Sequence, residues 1–151
     1  MTIERKVGMG IAGQPSGGAT DVADVFSTDL YTGDDGNVDI TNGIDLAGEG
    51  GMVWLKSRSA YPHTLWSSET TGNLVPNSTD PINNAPLQPT FNSDGFTFPN
   101  NATYNGWVTT NSSSHTYASW TFRKKEKFFD VVTYTGNSGT SQTIAHGLGG
   151  P

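Results

Sequence analysis

The 151-residue chain contains no cysteine, few basic residues and no long apolar run. Without cysteine it can form neither a disulfide nor a cysteine-ligated zinc site. Eight Lys and Arg against fourteen Asp and Glu give a formal net charge of −6. This balance argues against nucleic-acid binding, because such binding needs cations that neutralise phosphates. No apolar run approaches the ~20 residues of a membrane helix, so we predict neither membrane insertion nor a signal peptide.

Good helix formers are scarce, whereas Gly, Ser, Thr, Asn and aromatic residues are frequent. β-branched and aromatic residues favour strands, and clusters of Gly, Asn and Ser favour turns. The composition therefore predicts an all-β domain with long loops. A length of 151 residues fits one domain of ordinary size with one sizeable core.

The N-terminal residues differ from the rest of the chain, because glycine and small residues dominate residues 7–20. Such a segment has too little apolar surface to fold by itself, so we predict an extended Gly-rich arm over residues 1–22. Its glycines would let the backbone lie close against a partner. The arm contains a dinucleotide-binding glycine pattern between Gly8 and Gly13, but the following Gln14-Pro15 and further glycines prevent the helix that this motif requires. We therefore predict no nucleotide cofactor.

Short alternating segments separated by turn residues predict a β-sandwich over residues 23–127. Residues 25–32 and 38–44 flank a polar turn and are predicted to pair as a hairpin, and a second hairpin is predicted around residues 92–95. In residues 116–123 we place the even-numbered side chains towards the core. The predicted strands cover residues 25–32, 38–44, 52–58, 63–66, 90–91, 95–98, 106–109 and 116–123. The predicted core consists of Phe26, Leu30, Val53, Leu55, Leu65, Phe91, Phe96, Phe98, Val108, Trp120 and Phe122.

The beginning and the end of the domain carry similar sequences. The first copy runs from Phe26 to Gly33, ends in Tyr-Thr-Gly and continues through a polar turn to Gly43-Ile44. The second copy runs from Phe129 to Gly136 and continues in the same way to Gly147-Leu148. This spacing indicates an internal repeat. We therefore predict one complete unit in residues 23–127 and the opening strands of a second, incomplete unit in residues 128–151. The complete protein is then expected to continue past Pro151.

Several runs of this sequence resemble a repeated β-domain of structural proteins from marine and cyanobacterial tailed phages. The runs are Phe26-Ser-Thr-Asp-Leu-Tyr-Thr-Gly33, Ile40-Thr-Asn-Gly-Ile-Asp-Leu46, Met52-Val-Trp-Leu-Lys56, Phe91-Asn-Ser-Asp-Gly-Phe96 and Ala118-Ser-Trp-Thr-Phe-Arg-Lys124. The resemblance implies a jelly-roll or concanavalin-like β-sandwich. It also implies a virion component, assembled in the host cytoplasm, that forms a tail or neck fibre and serves host attachment.

The resemblance further implies that the arm anchors the protein to the particle and that other tail or neck proteins and a homotrimer are its partners. The anchor residues predicted on this basis are Arg5, Lys6, Gly8, Gly10 and Gly13. Two alternatives remain, a capsid decoration protein and a carbohydrate-binding module for a host surface glycan. Aromatic residues in or near loops can stack on sugars. The candidate sugar contacts are Tyr61, Trp66, Tyr104 and Trp107.

The sequence shows little that predicts catalysis or metal binding. His63, His115 and His146 are the only candidate bases, and no nucleophile elbow or metalloprotease motif accompanies them. Residues 34–39 offer hard oxygen ligands around a glycine, which Ca²⁺ accepts, but the second copy of this turn has no carboxylate. We therefore predict no enzyme, no metal and no cofactor.

Four of the eight basic residues lie within residues 123–127, and eight of the fourteen acidic residues lie within residues 21–49. Opposite charges attract when they are brought together within the fold or between subunits. We predict that this basic join faces the acidic segment and sets the angle to the next unit. Phe128 and Phe129 are expected to form the apolar part of the contact.

Overall fold

The computed structural model describes residues 20–59, 61–82, 88–99, 110–139 and 141–149. The strands in this part of the chain are β1 Phe26–Thr32, β2 Val38–Thr41, β3 Gly51–Ser57, β4 His63–Ser67, β5 Asn73–Leu74, β6 Thr90–Asn92, β7 Gly95–Phe98 and β8 Thr116–Arg123. A 3₁₀ turn at Val22–Asp24 and the one-turn helix α1 at Leu46–Glu49 are the helical elements described. The predicted all-β fold is confirmed.

The strands form two antiparallel sheets. The larger sheet has the order β1-β8-β3-β4-β5, and the smaller sheet has the order β2-β7-β6. Side chains from both sheets meet in one core, where the ring of Trp66 contacts the edge of Phe98 at a centroid distance of 6.0 Å. The buried core residues are Ile44, Leu46, Val53, Leu55, Trp66, Phe96, Phe98 and Tyr117.

The predicted hairpin of residues 25–32 and 38–44 is wrong, because β1 and β2 belong to different sheets. The polar turn between them is bound to the segment before β8: the backbone N–H of Asp35 donates to the carbonyl of Asn111 at 2.9 Å, and Gly33 donates to His115 at 2.9 Å. Gly33 lies so close to Ser112 that a Cβ atom would collide with its carbonyl oxygen. These long-range contacts carry the chain from one sheet to the other instead of reversing it.

The second predicted hairpin is confirmed, since β6 and β7 pair around residues 93 and 94. Gly95 adopts a φ of 151°, and a Cβ atom at this position would collide with the carbonyl oxygen of Ile40 on β2. Glycine is therefore required for the close approach of β2 to β7. The strands predicted at residues 52–58, 63–66 and 116–123 are confirmed as β3, β4 and β8. The short strand β5, at Asn73–Leu74, is not among the predicted strands.

The core prediction is correct for the inward residues of β3 and β7 and wrong for β8. Tyr117, Ser119 and Thr121 are the buried side of β8, so its faces are the reverse of those predicted. Val53, Leu55, Phe96 and Phe98 are buried as predicted, and Phe91 packs partly buried against the core. Phe26, Leu30, Leu65, Trp120 and Phe122 lie on the other side of the larger sheet, because each pairs in register with a residue of that side.

Two polar side chains of the inward face of β8, Tyr117 and Thr121, have hydrogen-bond partners outside the strand, which explains the reversal. The ring of Tyr117 stacks on Tyr31 at 5.0 Å, and its hydroxyl accepts the N–H of Ser112 at 2.9 Å. The hydroxyl of Thr121 accepts the Nδ2–H of Asn42 at 2.9 Å. Buried polar groups are tolerated when they have such partners.

Several predictions fall wholly or partly outside the described residues. The arm up to residue 19, with Arg5, Lys6, Gly8, Gly10 and Gly13, lies there, as do Val108 and the strand predicted at residues 106–109. Within residues 128–139 and 141–149 the structure contains no strand, so the predicted opening strands of a second unit are not formed there. The division of the chain at residue 127 stays a prediction.

Candidate binding surface

The outward side of the larger sheet carries large apolar side chains, and we call it the outer face. Strand register arranges most of its side chains in three rows that cross the strands. The first row contains Leu30, Ala118, Lys56 and His63. The middle row contains Thr28, Trp120, Trp54, Leu65 and Leu74. The third row contains Phe26, Phe122, Met52 and Ser67.

The sequence of β3 explains why both sides of this sheet are apolar. Successive side chains of a strand point to opposite sides, so Val53 and Leu55 enter the core while Met52 and Trp54 reach the outer face. An antiparallel sheet commonly has one core side and one polar, solvated side. Here the second side is apolar as well, and Leu30 is 71% exposed. Such a patch marks an interaction surface more often than a free surface.

Two tryptophans form the centre of the outer face. Their rings are tilted by 49° with centroids 5.4 Å apart. The Nε1–H of Trp54 donates to Nδ1 of His63 at 3.1 Å, which fixes the indole ring. Burial, and then the charge of Lys56, lower the pKa of His63, in keeping with Nδ1 acting as an acceptor. The centre is therefore a fixed aromatic platform with one neutral imidazole at its border.

An aromatic residue from outside the sheet already packs at one corner of the outer face. Phe129 stacks on Phe122 with ring centroids 5.1 Å apart and an angle of 29° between the rings. Two backbone hydrogen bonds between Lys125 and Phe129, of 2.9 and 3.1 Å, close the turn that places this ring. The outer face thus accepts an aromatic side chain from a segment that is not a strand of the sheet.

The basic join lies beside this corner and lines an open cleft of about 1140 Å³. Arg123 forms an ion pair with Glu49 at 3.4 Å, which confirms the predicted contact between the join and the acidic segment. Lys124 pairs with Glu69 at 2.7 Å and with Asp130 at 3.6 Å. The hydrogen bond between Lys124 and Glu69 lowers the pKa of Glu69 and raises that of Lys124. The angle to a further unit stays a prediction.

The predicted sugar contacts do not form one site. Trp66 is only 3% exposed and belongs to the core, so its assignment as a surface contact is wrong. Tyr61 is half-buried, and its ring contacts that of His115 at a centroid distance of 5.0 Å. Tyr104 and Trp107 lie outside the described residues. Trp120, which is predicted in the core, lies half-buried on the outer face beside Trp54, and the apolar residues on both sides of β3 are the sequence signal for this second apolar face.

The acidic turn of residues 34–39 is explained by hydrogen bonds within the fold. Asp34 accepts the N–H of Gly36 at 2.9 Å and the Nδ2–H of Asn111 at 2.7 Å, and Asp35 accepts the N–H of Ser113 at 2.8 Å. The bonds from Gly36 and Asn111 lower the pKa of Asp34, and the side-chain and then the backbone hydrogen bond of Ser113 lower the pKa of Asp35. Among the described residues, no three His, Asp or Glu side chains are grouped so that they could hold a metal ion.

Comparison with curated proteins and with solved structures gives no match. No helix in the described part of the chain is long and apolar enough to cross a membrane. The model of DUF7483, a domain of unknown function, matches residues 21–151. Because this match spans most of the sequence, the chain belongs to the DUF7483 family.

Proposed function

We propose that this chain is a non-catalytic structural component of a tailed-phage virion, a β-domain of a tail or neck fibre whose N-terminal arm anchors it to the particle. The observation that carries the proposal is the outer face. The smaller sheet covers one side of the main sheet, and the apolar outer face on the other side suits a subunit that buries this face in an assembly. The assignment to a virion rests on the resemblance of the sequence to phage β-domains.

We propose a jelly-roll or concanavalin-like topology as the detailed fold. Two features support it. The first strand of the domain, β1, pairs antiparallel with the last strand, β8, at one edge of the larger sheet. Successive strands β1 and β2 also lie in different sheets, as in a sandwich with crossing connections.

The position of Thr20 supports the anchoring role of the arm. Thr20 lines the cleft beside the basic join, together with Val22 and Asp24. The arm therefore leaves the domain next to exposed charged side chains, among them Lys125 and Lys127. A partner that held the arm would contact this cleft as well. The proposed partners are other tail or neck proteins and further copies of the chain in a homotrimer.

The test is to remove residues 1–19 and to measure incorporation into particles. The shortened chain should fold, because it keeps the whole core cluster that the described residues form, from Ile44 to Tyr117. Virions produced with the shortened chain should lack the protein in quantitative mass spectrometry, whereas virions with the intact chain should contain a fixed number of copies. Normal incorporation of the shortened chain would contradict anchoring by the arm. Absence of the intact chain from virions would contradict the virion role.

Carbohydrate binding is the second candidate, and the Trp54–Trp120 platform is the observation that favours it. Indole rings stack on the apolar faces of sugars, and His63 and Thr28 could supply hydrogen bonds at the border. A glycan array with the intact chain tests this function. Binding that is lost in Trp120→Ala and kept in Tyr61→Ala would support a glycan site on the outer face. A capsid decoration protein would instead be seen on the capsid in an electron-microscopy map.

A further inference from the structure

We propose that the outer face binds the outer face of a second copy of this chain, with a two-fold axis along the middle row. The inference rests on the proposed role of the outer face in assembly, and it does not depend on which particle carries the protein. This two-fold contact differs from the contact of the proposed homotrimer, because a trimer axis would use other surfaces. Both contacts could therefore occur in one fibre.

The chemistry of the outer face favours a protein partner over a glycan or a nucleic acid. Lys56 is the one formally charged side chain that the described residues place on the face. Aromatic residues and Met are enriched at the centres of protein interfaces, whereas charged residues are depleted there. Sugars and phosphates need more hydrogen-bond donors and charges than Thr28, His63 and Lys56 provide.

The arrangement of the rows favours a second copy in particular. Two sheets pack face to face about 10 Å apart, and an isologous contact requires a patch that complements itself. An axis along the middle row brings the Trp54–Trp120 pairs of both copies together. The same axis places Lys56 opposite Met52 of the partner subunit. Position 52 is four residues from position 56 along β3, so the ammonium groups of the two Lys56 side chains are about 14 Å or more apart.

The area of the outer face determines how strong this contact can be. Five strands spaced about 4.8 Å apart and about six residues long cover roughly 500 Å² per copy. Two copies would bury about 1,000 Å², which is the lower limit for a specific interface. We therefore expect a weak pair that forms at high local concentration, as in a fibre, and dissociates on dilution.

One edge of the larger sheet, formed by β1, is protected against pairing with another sheet. β1 is an edge strand, and its Asp29 points inwards, where it accepts the Nδ2–H of Asn42 at 3.2 Å and the hydroxyl of Ser27 at 3.4 Å. An inward-pointing charge on an edge strand opposes pairing with the edge of another sheet. The stacking of Phe129 on Phe122 shows that the face itself accepts apolar side chains.

The test uses the purified intact chain in sedimentation over a range of about 10 µM to 1 mM. The mass of the wild type should rise with concentration. Leu30→Lys should weaken the pair by about tenfold or more, because a charge is buried against the partner subunit. Val22→Lys is the matched control, since Val22 is 60% exposed but lies outside the face, and it should not change association. Both residues are exposed, so neither variant should unfold the domain.

Cross-linking tests the axis, and the absence of cysteine makes single labels specific. Thr28 lies in the middle row, so Thr28→Cys should be joined to its own copy by a short bismaleimide. Thr41→Cys, on the exposed side of the smaller sheet, is the control and should remain unlinked. The proposal would be overturned if the wild type stayed monomeric up to 1 mM. It would also be overturned if Leu30→Lys left the oligomers unchanged, or if a monomer bound glycans through the outer face. None of these outcomes would decide whether the chain occurs in virions.

Discussion

Asn42 joins the two sheets through its side chain. Its Nδ2 donates to Thr121 at 2.9 Å and to Asp29 at 3.2 Å, and its Oδ1 accepts the N–H of Ile44 at 3.1 Å. Thr121 is fully buried and Asp29 is half-buried, so their oxygens depend on this amide for part of their hydrogen bonding. Asn42 therefore makes the polar inward side of β8 compatible with a core.

We expect Asn42→Ala to lower the free energy of unfolding by about 1–3 kcal/mol, because it leaves buried acceptors without a donor. Urea unfolding followed by tryptophan fluorescence measures this loss. Thr41→Ala, at the neighbouring exposed position, should change stability by less than about 0.5 kcal/mol. Equal effects of the two substitutions would show that the amide has no special role.

Gly95→Ala should destabilise the domain more than Gly43→Ala. Both glycines have positive φ values, of 151° and 81°, so both substitutions introduce backbone strain of about 1 kcal/mol. At Gly95 the new methyl group would also collide with the carbonyl of Ile40, whereas at Gly43 it would meet no atom within 4 Å. Thermal unfolding of the two variants gives the difference. A smaller loss at Gly95 would contradict the close approach of β2 to β7.

The loop between β1 and β2 acts as a clamp that holds the two sheets in place. It contacts residues 111–115, which precede β8, through Asn111 and Ser113. Gly36 contributes a backbone carbonyl that accepts a second bond from Asn111 at 2.7 Å. Because Asp34 and Asp35 accept these bonds as carboxylates, the clamp depends on their ionisation.

The clamp predicts a loss of stability in acid. The pKa values of Asp34 and Asp35 are lower in the fold than the ordinary value of 3.8, so their contribution is complete above this value. It is lost as the pH falls through the lowered folded-state values. Urea unfolding between pH 2 and pH 6 should show this decline, and the double variant Asp34→Asn, Asp35→Asn should show a shallower one. Parallel curves would exclude these two carboxyl groups as its cause.

The molecule as a whole combines a two-sheet domain with a C-terminal segment that touches it at few points. Phe129 contacts Phe122, Lys124 pairs with Asp130, and the N–H of Lys127 donates to Leu148 at 3.1 Å. Beyond these contacts the segment is largely exposed, and Tyr134 is 67% exposed. The join between domain and segment therefore depends on one aromatic contact and a few polar ones.

Phe129→Ala should release the join without unfolding the domain. Hydrogen exchange of the amides of Lys125 and Phe129 should become faster, since their mutual hydrogen bonds lose the packing that holds the turn. Exchange in β3 and β8 should stay the same. Phe128→Ala is the control, because Phe128 is 37% exposed and does not stack on the sheet residues described. Faster exchange in β3 or β8 of Phe129→Ala would contradict the prediction, because it would mean that the segment supports the fold.

The composition and the alternating pattern were sufficient to predict the all-β class, the strands β3, β4 and β8 and the hairpin at Gly95, because these features depend on neighbours in sequence. Alternation also showed which residues of β8 share a side, but not which side is buried. That choice depended on contacts from outside the strand: Asn42 and Ser112 form hydrogen bonds with Thr121 and Tyr117, and the distant Tyr31 stacks on Tyr117. For the same reason the sequence placed the outer-face residues in the core and paired β1 with β2. A strand finds its partner, and a side chain its environment, only through contacts that the fold brings together.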